Sequence, residues 1–275
     1  MSGGKVMRRI TERIWVETEY EGANVGFILT QKGVICVESP MSPPDIRDWI
    51  SKIRSITEAE IAYVISTDHH FDHSIGDWLL GGKVIMHESC LEGLSEVREN
   101  FRELFRHFFE WKYEEVKEEL EEIRVEEPDI TFSEKLSLLC GDVTVEVVHI
   151  GGHCEGTSYV YVPQERVLFT GDAVSIGQHP YLGDALFDDW IRGLERMMEL
   201  DVRYLVPGHG EVGDKSDIER LLRFFEMMGE NVERGEEDIE ALYNFYPVRP
   251  ERREMVKDWL RDGLRRIREQ RGGNE

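Results

Sequence analysis

The chain has 275 residues, with 33 Lys plus Arg against 56 Asp plus Glu and a formal net charge of −23. This balance disfavours a sequence-independent grip on nucleic-acid phosphates or on an anionic membrane surface. The length suits one large domain spanning 1–275 with a sizeable core, and the abundance of Glu, Arg and Lys over Asn and Gln resembles thermophile composition.

In chain order, the N-terminal MSGGKVMRRITERIWVE holds no apolar core of signal-peptide length, and no later stretch approaches a bilayer-spanning run. A cytoplasmic protein is expected. RIWVETEY (13–20) and GFILTQKGVICVES (26–39), the latter turning at Gly33, carry the β-branched and aromatic bias of strands. Pro43 and Pro44 open a helix over 45–56, with Ile46, Trp49, Ile50 and Ile53 on one face. IAYVIS (61–66) reads as a buried strand and runs into STDHHFDHS (66–74), a loop at a strand's C-terminal end, where α/β proteins often place ligand sites. KVIMH (83–87) is a further strand. A helical insertion follows over 88–127, with Leu94, Val97, Phe101, Leu104, Phe105 and Phe108 at helical spacing. Strand patterns return at 135–140, 143–150, 158–163 and 166–172, then a helix at 187–200, a strand at 203–207, and C-terminal helices over 214–275. Strand-rich stretches each followed by helix imply an α+β stack of layers, not a purely parallel sheet.

Four short motifs end these strands: DHHFDH (68–73), GGH (151–153), GD (171–172) and PGHG (207–210). In an extended loop Asp68, His70 and Asp72 would point the same way. Glycine beside each later His or Asp permits the tight turns that bring distant strand ends together. Imidazole and carboxylate donors without thiolate suit zinc, iron or manganese.

The order and spacing of these motifs resemble the metallo-β-lactamase superfamily pattern, HxHxDH, then GH, GD and PGHG, over roughly 13–210. The resemblance implies a four-layer αββα sandwich. It also implies two divalent metal ions, zinc first with iron or manganese as alternatives. One would be held by Asp68, His70 and His153, the other by Asp72, His73 and His209, with Asp172 bridging. Asp68 replaces the family's first histidine. The extra carboxylate shifts preference towards harder ions, and a mononuclear centre without Asp68 stays open as the alternative.

The expected activity is hydrolysis of a small-molecule ester, thioester or lactone by a metal-bridging hydroxide, with Asp72 orienting it or carrying its proton. An iron-dependent oxygenase or redox protein is the alternative. A nuclease fits the acidic charge poorly, and action on β-lactams is not expected without an export signal. His179 and Tyr181 are candidate substrate-binding residues, a structural loop role for His179 remaining open. His69, His87 and His107 read as ordinary surface or core histidines, His149 as support for the GGH turn, and Cys154 as packing. The aromatic segment 101–113 reads as a buried helix stripe, with pocket wall and homodimer contact as further roles. The arginines of 250–269 read as exposed charge, contact with an acidic substrate being the other possibility.

Overall fold

In the computed structural model, which describes residues 7–235 and 239–272, the strands form two sheets. The first contains β1 (Arg8–Arg9), β2 (Ile14–Glu17), β3 (Val25–Thr30), β4 (Gly33–Val37), β5 (Ile61–Ile65), β6 (Lys83–His87) and β7 (Ile130–Phe132), in that spatial order. β1 to β4 pair antiparallel, and β4 to β7 run parallel. The second sheet has the order β12-β11-β10-β9-β8, from β8 (Lys135–Cys140), β9 (Val143–His149), β10 (Ser158–Val162), β11 (Val167–Ser175) and β12 (Tyr204–His209).

Alternation of apolar side chains decides how the sheets stack. Ile14, Val16, Ile28, Ile35, Ile65 and Ile85 of the first sheet meet Val145, Val147, Val160, Val162, Phe169 and Val206 of the second, forming a dry interior layer. The opposite face of the first sheet, through Val25, Phe27, Val34, Cys36 and Val64, receives Ile46, Trp49 and Ile53 of α1 (Pro43–Ile56). Ser42 caps that helix, accepting from the Asp45 backbone N–H at 3.4 Å, a device worth ~1 kcal/mol. The outer face of the second sheet carries helices too. They are α6 (Phe187–Glu199), α7 (Lys215–Glu233), α8 (Glu240–Tyr243) and α9 (Arg253–Gly272). The result is the helix–sheet–sheet–helix layering expected from the sequence.

Several local expectations are corrected. The strand anticipated over 13–20 stops at Glu17, where the Glu17 carboxylate accepts from the Glu19 N–H at 2.9 Å and turns the chain. The run 66–74 is not extended throughout, because the His70 carbonyl accepts from the N–H groups of His73 and Ser74 and winds Phe71–Ser74 into one helical turn, α2. A second short helix, α3 (Asp77–Leu80), follows. β7, only three residues long, gave no legible pattern. The stretch 1–6, part of the N-terminus read as lacking a signal-like core, lies outside the described residues, as does 273–275.

The insertion folds as α4 (Cys90–Phe108), α5 (Glu110–Val116) and a 3-10 turn, Glu119–Glu122. Its Leu94, Val97, Phe101 and Phe105 bury against Phe71, Ile75, Val84 and Met86, so the aromatic stripe is chiefly core. Leu104 and Phe108, only partly covered, face the cavity described below. On α9, Val256, Leu260, Leu264 and Ile267 dock onto the core, whereas Met255 and Trp259 turn towards that cavity.

Candidate metal centre

The four motifs converge. Asp68 and His70 leave the end of β5, Asp72 and His73 ride on α2, His153 sits between β9 and β10, Asp172 lies within β11, and His209 ends β12. Two groups form, Asp68–His70–His153 and Asp72–His73–His209, each with its ligand-type atoms within 4.8 Å of one another. In the first, His70 Nδ1 lies 3.5 Å from Asp68 Oδ1 and 3.1 Å from His153 Nε2. In the second, His209 Nε2 is 3.4 Å from Asp72 Oδ2. Asp172 stands between them: Oδ2 is 3.5 Å from His153 Nε2, while Oδ1 is 3.2 Å from His209 Nε2 and 3.4 Å from His73 Nε2. Donors ~2.1 Å from a tetrahedral ion lie about 3.4 Å apart, so these spacings are those of a ligand cage.

Buried polar atoms without hydrogen bonds supply a test of fit that does not depend on spacing. Asp68 Oδ2, His73 Nε2 and Asp172 Oδ1 are all buried and lack a hydrogen-bond partner. Orphans of this kind cost about 1–3 kcal/mol each or more; a cation in the first group would satisfy Asp68 Oδ2, and one in the second His73 Nε2 and Asp172 Oδ1. Mixed nitrogen and oxygen donors fit zinc, iron or manganese.

Glycine makes the approach possible. Gly171, at φ +49°, has no room for a Cβ against the Thr67 hydroxyl, and a Cβ on Gly208 would overlap Asp172 Oδ1.

Electrostatics follow from packing acids and imidazoles together. Burial alone would raise the Asp68 carboxyl, but His73 and His70 hold it well below the usual range. Asp172 is likewise held low against burial by His209 and His73. Burial opposes protonation of His70 and His73, yet Asp68 beside both, aided by Asp172 at His73, raises each well above the ordinary value. Without a cation the cage balances its charge with protons, and metal entry must expel them.

The far ring nitrogens are held as well. His70 Nε2 is 3.2 Å from Asp184 Oδ2, His73 Nδ1 is 3.3 Å from Glu38 Oε1, and His209 Nδ1 is 2.9 Å from the Gly22 carbonyl. Such partners fix ring orientation and raise ligand basicity. Sequence reading missed Glu38 and Asp184. Two signals were available, an acid closing an apolar strand (VICVE) for Glu38 and a second Gly-Asp pair in YLGD for Asp184.

The remaining sequence candidates divide. Tyr181 stands beside the first group, its ring 5.8 Å from His70 and 6.0 Å from His153. His179 lines the same cavity, but its Nε2 lies 3.0 Å from the Tyr243 carbonyl and its ring packs on Phe224, Tyr243 and Tyr246, which gives it a structural anchor. His149 Nε2 lies 2.7 Å from the Glu155 carbonyl in the GGH loop, and its ring stacks on His87 at 3.6 Å. Cys154 is buried, its thiol pushed up to about 11 by burial, so it is a neutral packing group.

Beneath the centre, Asp77 is fully buried, accepts a hydrogen bond from Ser66, and has its carboxyl pushed up to about 8, chiefly by burial. Between about pH 4 and 8 the native state keeps a proton that the unfolded chain has released, so stability falls as pH rises through that window. Asp77→Asn removes the titration. Thermal melts should show the variant gaining on the parent by roughly 2–4 kcal/mol between pH 5 and pH 8; an unchanged difference would refute the assignment.

The profile of the Metallo-beta-lactamase superfamily matches residues 19–209, the span that contains both groups. The chain belongs to the metallo-beta-lactamase superfamily. Among its relatives, the Metallo-beta-lactamase type 2 of Bacillus sp. (strain 170) is 27% identical over 220 residues, covering 75% of this chain and 77% of that protein. The Beta-lactamase-like protein 2 homolog of Caenorhabditis elegans is 23% identical over 206 residues, covering 71% of this chain and 58% of that protein. The solved metallo-beta-lactamase from Pontibacter korlensis superposes with a TM-score of 0.63 at 20% identity, over 80% of this chain and 98% of that one, a likeness of fold. This superfamily member is thus a metal-dependent hydrolase by family, with two candidate metal groups. Among the described residues no helix is long and apolar enough to cross a membrane.

Proposed function

We propose that the protein hydrolyses a small-molecule ester, thioester or lactone at a centre of two divalent ions, zinc in preference to iron or manganese. Asp68, His70 and His153 would hold one ion, Asp72, His73 and His209 the other, and Asp172 would serve both. The observation that carries this reading is the position of Asp172, whose two oxygens face different groups at the base of one cavity. When bound, such a pair of cations lowers the pKa of a shared water and clamps the attacking and leaving oxygens of a displacement.

The chain's own contribution is orientation and exclusion of water. Glu38 and Asp184 hold His73 and His70 in place. Asp72 has one oxygen 3.4 Å from His209 Nε2 and borders the cavity. There it can orient the water and move its proton towards the leaving group. The cavity, about 380 Å³, is walled by Leu104, Phe108, Phe109, Met255 and Trp259, which suits a substrate with an apolar part. The four cysteines are free and buried, in keeping with a cytoplasmic, reducing setting.

Elemental analysis of protein purified without added metal, paired with a panel of generic esters, tests the proposal. Near two equivalents of zinc or manganese with ester turnover is expected. Iron with oxygen consumption and no ester turnover would replace hydrolysis by the oxygenase reading, which the oxygen-rich donor set around Asp68 would then explain.

A further inference from the structure

The cavity contains one cation that its construction does not use. Arg252 ends the 3-10 turn Pro250–Arg252 just before α9 and lies beyond the stretch matched by the superfamily profile. Among the described residues it is the only Lys or Arg lining the cavity. Its guanidinium carbon sits 5.6 Å from the centre of the Phe109 ring, and its Nε is buried with no partner. Among the described residues the guanidinium makes neither ion pair nor hydrogen bond; the acids acting on it, Glu21, Asp72 and Glu251, do so across space, against burial and Arg249. Neighbouring arginines are engaged: Arg266 lies 3.6 Å from Asp184, and Arg261 and Arg265 pair with Asp258 and Asp262 one turn earlier. A half-buried, unpaired guanidinium held on an aromatic face is costly, and it is a ready fork for a carboxylate or phosphate.

We propose that Arg252 receives an anionic substituent of the substrate while the apolar part lies along Phe108, Phe109, Met255 and Trp259. The substrate class is then an ester, thioester or lactone bearing a carboxylate or phosphate, an inference that rests on the hydrolase reading and narrows it.

Three p-nitrophenyl esters of matched length, ending in carboxylate, phosphate or a neutral methyl ester, test it on the metal-loaded protein. One anionic ester should exceed the neutral one by about tenfold or more in kcat/KM, and whichever leads names the anion. Arg252→Met should bring that ratio close to one, chiefly through KM. Arg252→Lys, which keeps stem and charge but loses the fork, should retain part of it. Absence of a preference in the parent, or a full preference surviving in either variant, overturns the proposal. Calorimetric binding of monomethyl glutarate and of methyl phosphate to parent and variants supplies a readout without turnover. Equal affinity in parent and Arg252→Met would mean that the metal ions take the anion, and would overturn the proposal even if esters are hydrolysed. Arg252-dependent binding with no ester turnover would support Arg252 while removing the hydrolase reading.

Discussion

Asp172→Asn is expected to disable both metal groups together. The two oxygens of Asp172 face different clusters, within 3.2–3.5 Å of imidazole nitrogens from three separate segments. An amide keeps the volume but removes the charge and turns one of these acceptors into a donor aimed at ring nitrogens. Losing an outer partner of a ligand costs 10–100-fold in metal affinity, so loss of a shared ligand should exceed about 100-fold at each group. Elemental analysis should fall from near two equivalents to below one, with ester turnover falling by at least the same factor. Retention of two equivalents would show that Asp172 is not the shared ligand, and the reading that one carboxylate serves both groups would fail with it.

The second large effect concerns Asp68, the position at which the chain departs from the superfamily pattern. Its side chain is fully buried, Oδ1 accepts from the His70 N–H at 2.9 Å, and Oδ2 has no partner. Replacement by Ala should lower the metal content from two equivalents to about one, because only His70 and His153 remain as unshared donors to that group. Asp68→His should restore two equivalents while moving the balance from iron or manganese towards zinc, since an imidazole replaces a hard oxygen donor. If Asp68→Ala left the metal content unchanged, Asp68 would be a structural acid and the centre would fill by another route.

The electrostatics of the cage give these substitutions a further signature. In the metal-free state Asp68 and Asp172 hold His70, His73 and His209 in the protonated form more firmly than ordinary imidazoles. Metal binding should therefore release protons, measurable as buffer-dependent heats in calorimetry.

Much of this molecule is readable in its sequence because its informative residues lie where local rules operate. Strands β3, β5, β6, β9 and β12, helix α1 and the amphipathic insertion follow from periodicity and turn residues, and the Gly-His and Gly-Asp pairs mark strand ends. The motif order indicated which residues would form the cage, and the geometry brings those seven side chains together. Local rules stop where a contact joins distant segments. Glu38 and Asp184 looked like unremarkable acids until folding set them 3.3 Å and 3.2 Å from His73 and His70. α2 arose where the alternation of Asp68, His70 and Asp72 suggested extended chain, because hydrogen bonds to the His70 carbonyl outweighed that pattern. The C-terminal segment read as helix with chiefly exposed arginines, yet Val256, Leu260 and Leu264 dock on the core while Met255, Trp259 and the preceding Arg252 wall the cavity. Composition and periodicity by themselves determined that sheet and helix would stack in layers, and the resemblance of the motifs to the superfamily pattern implied the donors. Tertiary structure alone decided which acids orient the donors and which side chains shape the cavity, since these depend on through-space neighbours that sequence separation does not encode.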